Sequence, residues 1–201
     1  MTNLLQIDTS IRTDRSIPRL LAKEFVNQWI VSNPKSTITY RDISQFPIHH
    51  VTEEWIDPAA LSSNKSTLAN SSELLIDEFI LNDRYLISLP ILNFTIPSTL
   101  EAYIDLIART GLAAAVNKYD SPGLLHGKKL LIVATQRNNY PHKNQDEVIR
   151  HFESYLRCIF EYIRLTNIDF IYAYNQSEAN LDRNLAIANA RASIKNFVAD
   201  W

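Results

Sequence analysis

Hydroxyl-bearing and cationic side chains are concentrated in one short segment near the start of the chain. Residues 8–16 read Asp-Thr-Ser-Ile-Arg-Thr-Asp-Arg-Ser, with four hydroxyls and two arginines. Hydroxyl and guanidinium groups donate hydrogen bonds to phosphate oxygens. A helix beginning at Ser16 would add free N–H groups and the positive end of its dipole. The segment predicts a phosphate site; the alternative is that Ser16 only caps the helix and the arginines are solvated.

Two further segments carry groups that could hold a flat heterocycle. Residues 90–98 read Pro-Ile-Leu-Asn-Phe-Thr-Ile-Pro-Ser. Their backbone amides and Asn93 could hydrogen-bond the edge of a ring while Ile91 and Phe94 pack on its face. The alternative is a plain strand-to-helix connection with a serine cap. Residues 135–140, Thr-Gln-Arg-Asn-Asn-Tyr, are rich in amide donors, and asparagine tolerates left-handed backbone.

Glycine and cysteine are scarce enough to exclude several kinds of site. The chain has three glycines in 201 residues. That excludes the glycine-built phosphate loops of dinucleotide-binding and P-loop proteins, so a phosphate would be held without glycine. The single cysteine, Cys158, excludes a disulfide framework and a cysteine-based zinc site. Its apolar, helical context predicts a buried thiol.

One polar stretch contains several potential metal ligands. His49 and His50 lie close to Glu53 and Glu54 in a polar stretch. Adjacent residues rarely chelate one ion well, because metal-binding side chains are usually spaced to converge on it. The sequence therefore predicts a solvated loop here and no metal.

Composition places the chain among soluble globular proteins. Hydrophobic residues make up 46%, charged residues 21%, and the formal net charge is −2. The near-neutral charge argues against a nucleic-acid partner. No segment approaches the roughly 18 apolar residues of a membrane span, and the N-terminus shows no secretion signal. We expect a cytoplasmic protein without a membrane partner, with residues 1–201 forming one domain.

Short apolar runs alternate with amphipathic ones along the whole chain. Strands are predicted over residues 4–7, 37–40, 84–89, 129–135 and 168–174. Helices are predicted over 16–32, 67–81, 98–110, 145–165 and 178–198, with an irregular excursion over 43–64. Continuous apolar strands separated by helices indicate an α/β fold with a parallel sheet covered on both faces. We expect a doubly wound, flavodoxin-like sheet of order 2-1-3-4-5, whose ligands bind beyond the carboxyl ends of the strands.

Taken together, the three segments resemble the FMN-dependent NADH-azoreductase family, which is related to the NAD(P)H quinone oxidoreductases. The resemblance runs from about residue 3 to residue 198. Its most specific part, residues 90–111, is similar to the family pattern P-x-x-N-F-x-I-P-S-x-L-K-x-x-I-D-x-x-x-R-x-G. Further matches are Ser10 and Ser16, Arg41-Asp42, the run 123–129, and His142-Lys143.

The resemblance implies a cofactor site and a reaction. FMN phosphate would be held by Ser10, Ser16 and the backbone of Ile17 and Pro18. The isoalloxazine ring would contact Ile91, Leu92, Asn93 and Phe94, and its pyrimidine edge would contact Gln136, Arg137, Asn138 and Asn139. NADH or NADPH would reduce FMN, and a quinone or azo compound would then take two electrons in a ping-pong cycle. The chemistry lies on the flavin, so no catalytic side chain is implied. The family's pocket lies between two subunits, which implies a homodimer.

Several positions depart from the family pattern. Pro18 has no N–H to offer a phosphate. Asn138 and Asn139 stand where the family has glycines. The residues expected to line the substrate pocket differ from the family pattern around Ala114 and Val116. Tyr162 keeps an aromatic ring where the family places one over the substrate. These changes leave two alternatives open: a flavoenzyme for a dedicated metabolite, or a binding protein that has lost flavin chemistry.

Overall fold

Strands and helices alternate throughout the described chain. A computed structural model describes residues 2–52, 74–108, 125–137, 145–175, 180–199 and 201. The strands are β1 (Leu4–Asp8), β2 (Ile38–Asp42), β3 (Arg84–Pro90), β4 (Lys129–Arg137) and β5 (Asn167–Asn175). The helices are α1 (Ile17–Ser32), α2 (residues 74–81), α3 (Ser98–Leu106), α4 (Gln145–Tyr162) and α5 (Asn180–Val198).

The five strands form one parallel sheet of order β2-β1-β3-β4-β5. This confirms the predicted flavodoxin-like α/β fold. Asp8, the last residue of β1, pairs with Asp42 of β2 and with Ser88 of β3. Pro90 pairs with Thr135. The connections that follow β1 and β3 therefore leave the same edge of the sheet, which we call the carboxyl edge.

Both faces of the sheet are covered by helices, as the continuous apolar strands predicted. On one face, Leu5 and Ile7 of β1 belong to a core completed by α2, α3 and α4. On the other face, Leu4 and Leu86 lie in a second core with α1 and α5. None of the helices in the described residues is long and apolar enough to cross a membrane.

The predicted burial of Cys158 is wrong, since its thiol is exposed. Phe152, Leu156 and Phe160 define the buried face of α4. Cys158 lies two residues from both Leu156 and Phe160, which is about 200° around an α-helix and places it on the opposite face. Parts of four element predictions lie outside the described residues: positions 53–64 of the excursion, 67–73 of the second helix, 109–110 of the third and 178–179 of the last.

Candidate functional site

The connection between β1 and α1 (residues 9–16, the β1–α1 loop) combines buried serines with an exposed tip. Ser10 and Ser16 are buried, whereas residues 11–15 are exposed. Ser16 caps α1, because its Oγ accepts a hydrogen bond from the backbone N–H of Arg19 at 3.4 Å. Pro18 lies in the first turn of α1, where its missing N–H leaves no helical hydrogen bond unmade.

Several donors of the β1–α1 loop make no hydrogen bond with a described residue. In the described part of the chain, the Ser10 hydroxyl and the backbone N–H groups of Ile11 and Ile17 make no hydrogen bond. The loop also carries the exposed cations Arg12 and Arg15, which form no ion pair with a described residue. Unpaired donors and positive charge at a helix N-terminus form a site that favours an anion.

A charged cluster lies beneath this loop on the β2 side. Arg19 donates from Nη2 to Oδ1 of Asp42 at 2.8 Å and from Nη1 to Oδ2 of Asp42 at 2.5 Å. Burial alone would raise the pKa of Asp42, but hydrogen bonds from Arg19, Ser44 and the backbone of Gln45 outweigh it. Together they hold the pKa of Asp42 at about 2, below its ordinary 3.8.

The pKa of Asp42 predicts a stability difference that depends on pH. We expect Asp42→Asn to lower the free energy of unfolding by about 1 to 2 kcal/mol at neutral pH. Because folding lowers this pKa, the ionised carboxylate stabilises the fold above about pH 4 and loses that effect as the pH falls through about 2. The difference in the free energy of unfolding between the wild type and the variant should therefore decrease as the pH is lowered. Urea unfolding of both proteins at several pH values measures it; a gap that does not change with pH would contradict this prediction.

The connection after β3 contains a tight turn with left-handed backbone. Leu92 and Thr95 exchange two backbone hydrogen bonds of 2.9 Å. Between them, Asn93 has φ 47° and Phe94 has φ 70°. Positive φ at both central residues is the pattern of a type I′ turn, which usually has glycine at the second of them. Phenylalanine there is strained, and such strain tends to persist where a site requires it. The turn follows β3 at the carboxyl edge, and Asn93 in it is exposed.

The strain at Phe94 predicts an unusual order of stabilities. Phe94→Gly and Phe94→Ala both remove the ring, but only alanine keeps a Cβ at positive φ. We expect the glycine variant to be more stable by about 0.5 to 1 kcal/mol, since a left-handed conformation costs alanine about 1 to 2 kcal/mol and glycine's extra chain entropy offsets part of that. Chemical unfolding of both variants tests this. A more stable alanine variant would show that residue 94 does not hold positive φ in solution.

Among the described residues, two buried polar atoms at the carboxyl edge have no hydrogen-bond partner, namely Oε1 of Gln136 and the hydroxyl oxygen of Tyr174. The two residues pair across β4 and β5, so their side chains leave the same face of the sheet. Burial raises the pKa of Tyr174 above its ordinary value, so the phenol stays protonated and able to donate. Buried polar atoms without partners are costly and few in native proteins. A ligand with both a donor and an acceptor at its edge would satisfy this pair.

The carboxyl edge brings together part of the site predicted from the sequence. Ser10, Ser16, Ile17 and Pro18 lie in or beside the β1–α1 loop, and Gln136 lies near the end of β4. Ile91 is buried in the core with its N–H bonded to the carbonyl of Thr135, while Leu92 is exposed. Arg137 ends β4. The other predicted positions, Asn138, Asn139, Ala114 and Val116, lie outside the described residues.

Tyr162 lies away from the other predicted site residues. It is the last residue of α4 and is exposed. The helix runs back toward the amino edge of the sheet, where Arg157 donates to the carbonyl of Ile168 near the start of β5 at 3.0 Å. Tyr162 therefore lies at the opposite edge from the loops of its own chain.

Two residues of the site were not found from the sequence. Arg19 contacts the β1–α1 loop through its side chain, and Tyr174 contributes the second unpaired polar atom. Tyr174 could have been noticed as the last ring of the alternating aromatic series Phe170, Tyr172 and Tyr174 in the predicted fifth strand. Arg19 carries no such signal, because an arginine in the first turn of a helix usually lies in solvent. In the described residues, no group of three or more His, Cys, Asp or Glu could hold a metal.

Comparison with solved structures agrees with this architecture. An azoreductase from Bacillus anthracis superposes with a TM-score of 0.82 at 17% identity, over 100% of both chains. An FMN-dependent NADH-azoreductase from the same species, solved in complex with FMN, gives a TM-score of 0.80 at 19% identity over 98% of both chains. At these identities the likeness shows a shared fold.

Comparison of sequences identifies the family. The model of a family described as having a flavodoxin-like fold matches residues 2–198. A protein of Nostoc punctiforme named FMN-dependent NADH:quinone oxidoreductase is 38% identical over 206 residues, which cover 100% of both chains. A Pseudomonas putida protein named FMN-dependent NADH:quinone oxidoreductase 2 is 30% identical over 96% of this chain and 98% of its own. The chain therefore belongs to this flavodoxin-like family, in which it is similar to FMN-dependent NADH:quinone oxidoreductases.

Proposed function

We propose that this protein is an FMN-dependent NADH:quinone oxidoreductase with azoreductase activity. The observation that carries the proposal is the set of donors and acceptors at the carboxyl edge that have no partner among the described residues. It occurs in a chain that is 38% identical over its full length to a relative of that name. Ligands of doubly wound sheets bind at this edge. Because NADH is found inside cells, a cytoplasmic location is part of the proposal.

The residues at the carboxyl edge fit FMN. The hydroxyls of Ser10 and Ser16 and the N–H of Ile17 would hold the phosphate. Asn93 would contact the isoalloxazine ring, and the unpaired Oε1 of Gln136 matches the N–H of the pyrimidine part of that ring. The chemistry that FMN supplies when bound is hydride uptake from NADH or NADPH, followed by two-electron transfer to a quinone or azo compound in a ping-pong cycle. The protein's own residues bind and orient the ring, and no side chain is required to react.

The position of Tyr162 supports a homodimer. Within one chain its ring lies at the amino edge, whereas the loops that we propose to bind the flavin lie at the carboxyl edge. A substrate pocket that includes both therefore needs two copies of the chain. Light scattering coupled to gel filtration should give twice the mass of one chain, 23.1 kDa. A monomer would leave Tyr162 without a role in the substrate pocket.

The experiment that tests the proposed function is a visible spectrum followed by a kinetic assay. We expect the purified protein to be yellow, or the apoprotein to take up FMN at micromolar concentration, and to oxidise NADH when a quinone is added. A colourless protein that binds no FMN would contradict the proposal and favour a binding role. FMN binding with slow reoxidation by every quinone and azo compound tried, measured by stopped flow, would favour an enzyme for a dedicated metabolite.

A further inference from the structure

The side chain of Arg19 lies beneath the β1–α1 loop rather than in solvent. Its side chain is 11% exposed. Nε and Nη2 of Arg19 both donate to the carbonyl oxygen of Ser10, at 3.1 and 2.7 Å. The hydroxyl of Ser44 lies 2.9 Å from the same oxygen and 2.8 Å from Oδ1 of Asp42, so its one proton is shared between two acceptors. The two Arg19 donors, with the Ser44 hydroxyl beside them, thus fix the direction of one carbonyl group in a loop whose tip is otherwise exposed.

Fixing this carbonyl also fixes an N–H group. In a trans peptide the C=O of Ser10 and the N–H of Ile11 point in opposite directions within one plane, and the structure has no cis peptide bond in the described chain. The N–H of Ile11 therefore points away from Arg19, and it makes no hydrogen bond with a described residue. An anion-binding loop needs this arrangement, with N–H groups facing the anion and carbonyls turned away from it.

We propose that Arg19 is a positioning residue for the cofactor phosphate: it orients the Ser10–Ile11 peptide so that the Ile11 N–H is presented to the phosphate of FMN. This inference rests on the proposed function, because it assigns a role in the same site. Arg19 does not act by lending its charge to the phosphate. That charge faces the carboxylates of Asp42, at 2.5 and 2.8 Å, and of Asp8, at 3.4 Å.

The two carboxylates explain why a cation is needed at this position. Asp8 and Asp42 are both buried and lie directly beside the loop. Without Arg19, two buried carboxylates would stand uncompensated next to an anion site, and the Ser10–Ile11 peptide would lose its fixed orientation. The negative charge and the lost orientation would each weaken FMN binding. A lysine could not replace the arginine fully, since its single ammonium group lacks the planar fork that reaches the Ser10 carbonyl and both oxygens of Asp42 at once.

The test compares FMN with riboflavin, which lacks the phosphate. Kd values are measured by flavin fluorescence on apoprotein of the wild type, Arg19→Met and Arg19→Lys. We expect Arg19→Met to raise the Kd for FMN roughly 10- to 100-fold and to leave the Kd for riboflavin nearly unchanged, with Arg19→Lys intermediate. A general loss of structure would weaken the binding of both ligands alike. The ratio of the Kd for FMN to the Kd for riboflavin therefore reports the role of Arg19 in phosphate binding.

The matched control is Arg41→Met. Arg41 forms a bidentate pair with Glu78, with both bonds at 2.6 Å, and its side chain makes no hydrogen bond or ion pair with the β1–α1 loop in the described chain. We expect this variant to lose stability but to keep the wild-type ratio of the FMN and riboflavin Kd values. An equal change of the ratio in Arg41→Met and Arg19→Met would overturn the inference.

A milder variant decides the question if Arg19→Met does not fold. Ser44→Ala removes a hydroxyl that lies within hydrogen-bond distance of both the Ser10 carbonyl and Asp42, and we expect it to raise the Kd for FMN about 3- to 10-fold with no change for riboflavin. Wild-type protein that binds no FMN would refute the proposed function itself. Wild-type protein that binds FMN, with Arg19→Lys and Ser44→Ala keeping the wild-type ratio, would refute the role of Arg19 alone.

Discussion

Replacing Ser16 with glutamate is expected to raise the Kd for FMN by at least about 100-fold. Ser16 is buried at the N-cap of α1, beside the unpaired N–H of Ile17. A carboxylate there would itself occupy the positive end of the helix and repel the phosphate. Two unit charges about 4 Å apart interact by about 4 kcal/mol at an effective dielectric constant of about 20, and salt screens part of this in an open loop.

The control for this variant is Ser16→Ala, which removes the hydroxyl without adding charge. It should weaken FMN binding about 5- to 10-fold and cost about 1 kcal/mol of stability through the lost cap. Equilibrium titration of apoprotein with FMN measures the Kd of each variant, and thermal melting tests whether both variants are folded. Unchanged FMN affinity in Ser16→Glu would mean that the β1–α1 loop is not the phosphate site.

The fold could be predicted because its signals are local. The run Lys129 to Thr135 is apolar on both faces, which only a strand in the middle of a covered sheet requires. Helical spacing was equally clear in α4, where Phe152, Leu156 and Phe160 repeat every four residues. Alternation of such strands with helices leaves few topologies, because parallel strands need crossover connections of fixed hand. The sheet order followed from these rules.

The candidate site could be predicted only where its polar residues lie close together in the sequence. Ser10 and Ser16 share one loop, so their clustering is visible in the sequence. Arg19 reaches Asp42 and Ser44 across 23 and 25 positions, and such a contact depends on side-chain directions that spacing does not reveal. The unpaired atom of Tyr174 likewise became visible only when strand register placed it beside Gln136.

Trp201 is a second residue whose role could not be predicted from the sequence. It lies at the opposite edge of the sheet from the candidate site. No pattern assigned it a role, yet it is buried against α1. Its ring stands edge-on to Phe25 and Trp29, with centroids 5.0 and 6.3 Å apart. Arg84, the first residue of β3, places its guanidinium 5.8 Å from the ring and donates from Nε to the carbonyl of Trp201 at 3.0 Å.

We expect Trp201→Ala to lower the free energy of unfolding by about 3 kcal/mol, because it removes a large ring from the α1–α5 core. In a chain of this size the melting temperature should fall by about 6 to 12 °C. The Kd for FMN at low temperature should not change. β3 has seven residues, so roughly 20 Å of strand separates Arg84 from the carboxyl edge. Calorimetry and FMN titration of one preparation measure both quantities.

Trp201→Phe is the matched control, because it keeps an aromatic ring. The indole N–H makes no hydrogen bond in the described chain, so phenylalanine loses only part of the packing area, and we expect a cost of about 1 kcal/mol. A weaker FMN affinity in Trp201→Ala under conditions where it is folded would show that the two edges are coupled. Packing at the amino edge would then affect the Kd for FMN as well as the free energy of unfolding. The effect of a loop substitution such as Ser16→Glu on the Kd would have to be interpreted together with its effect on the core.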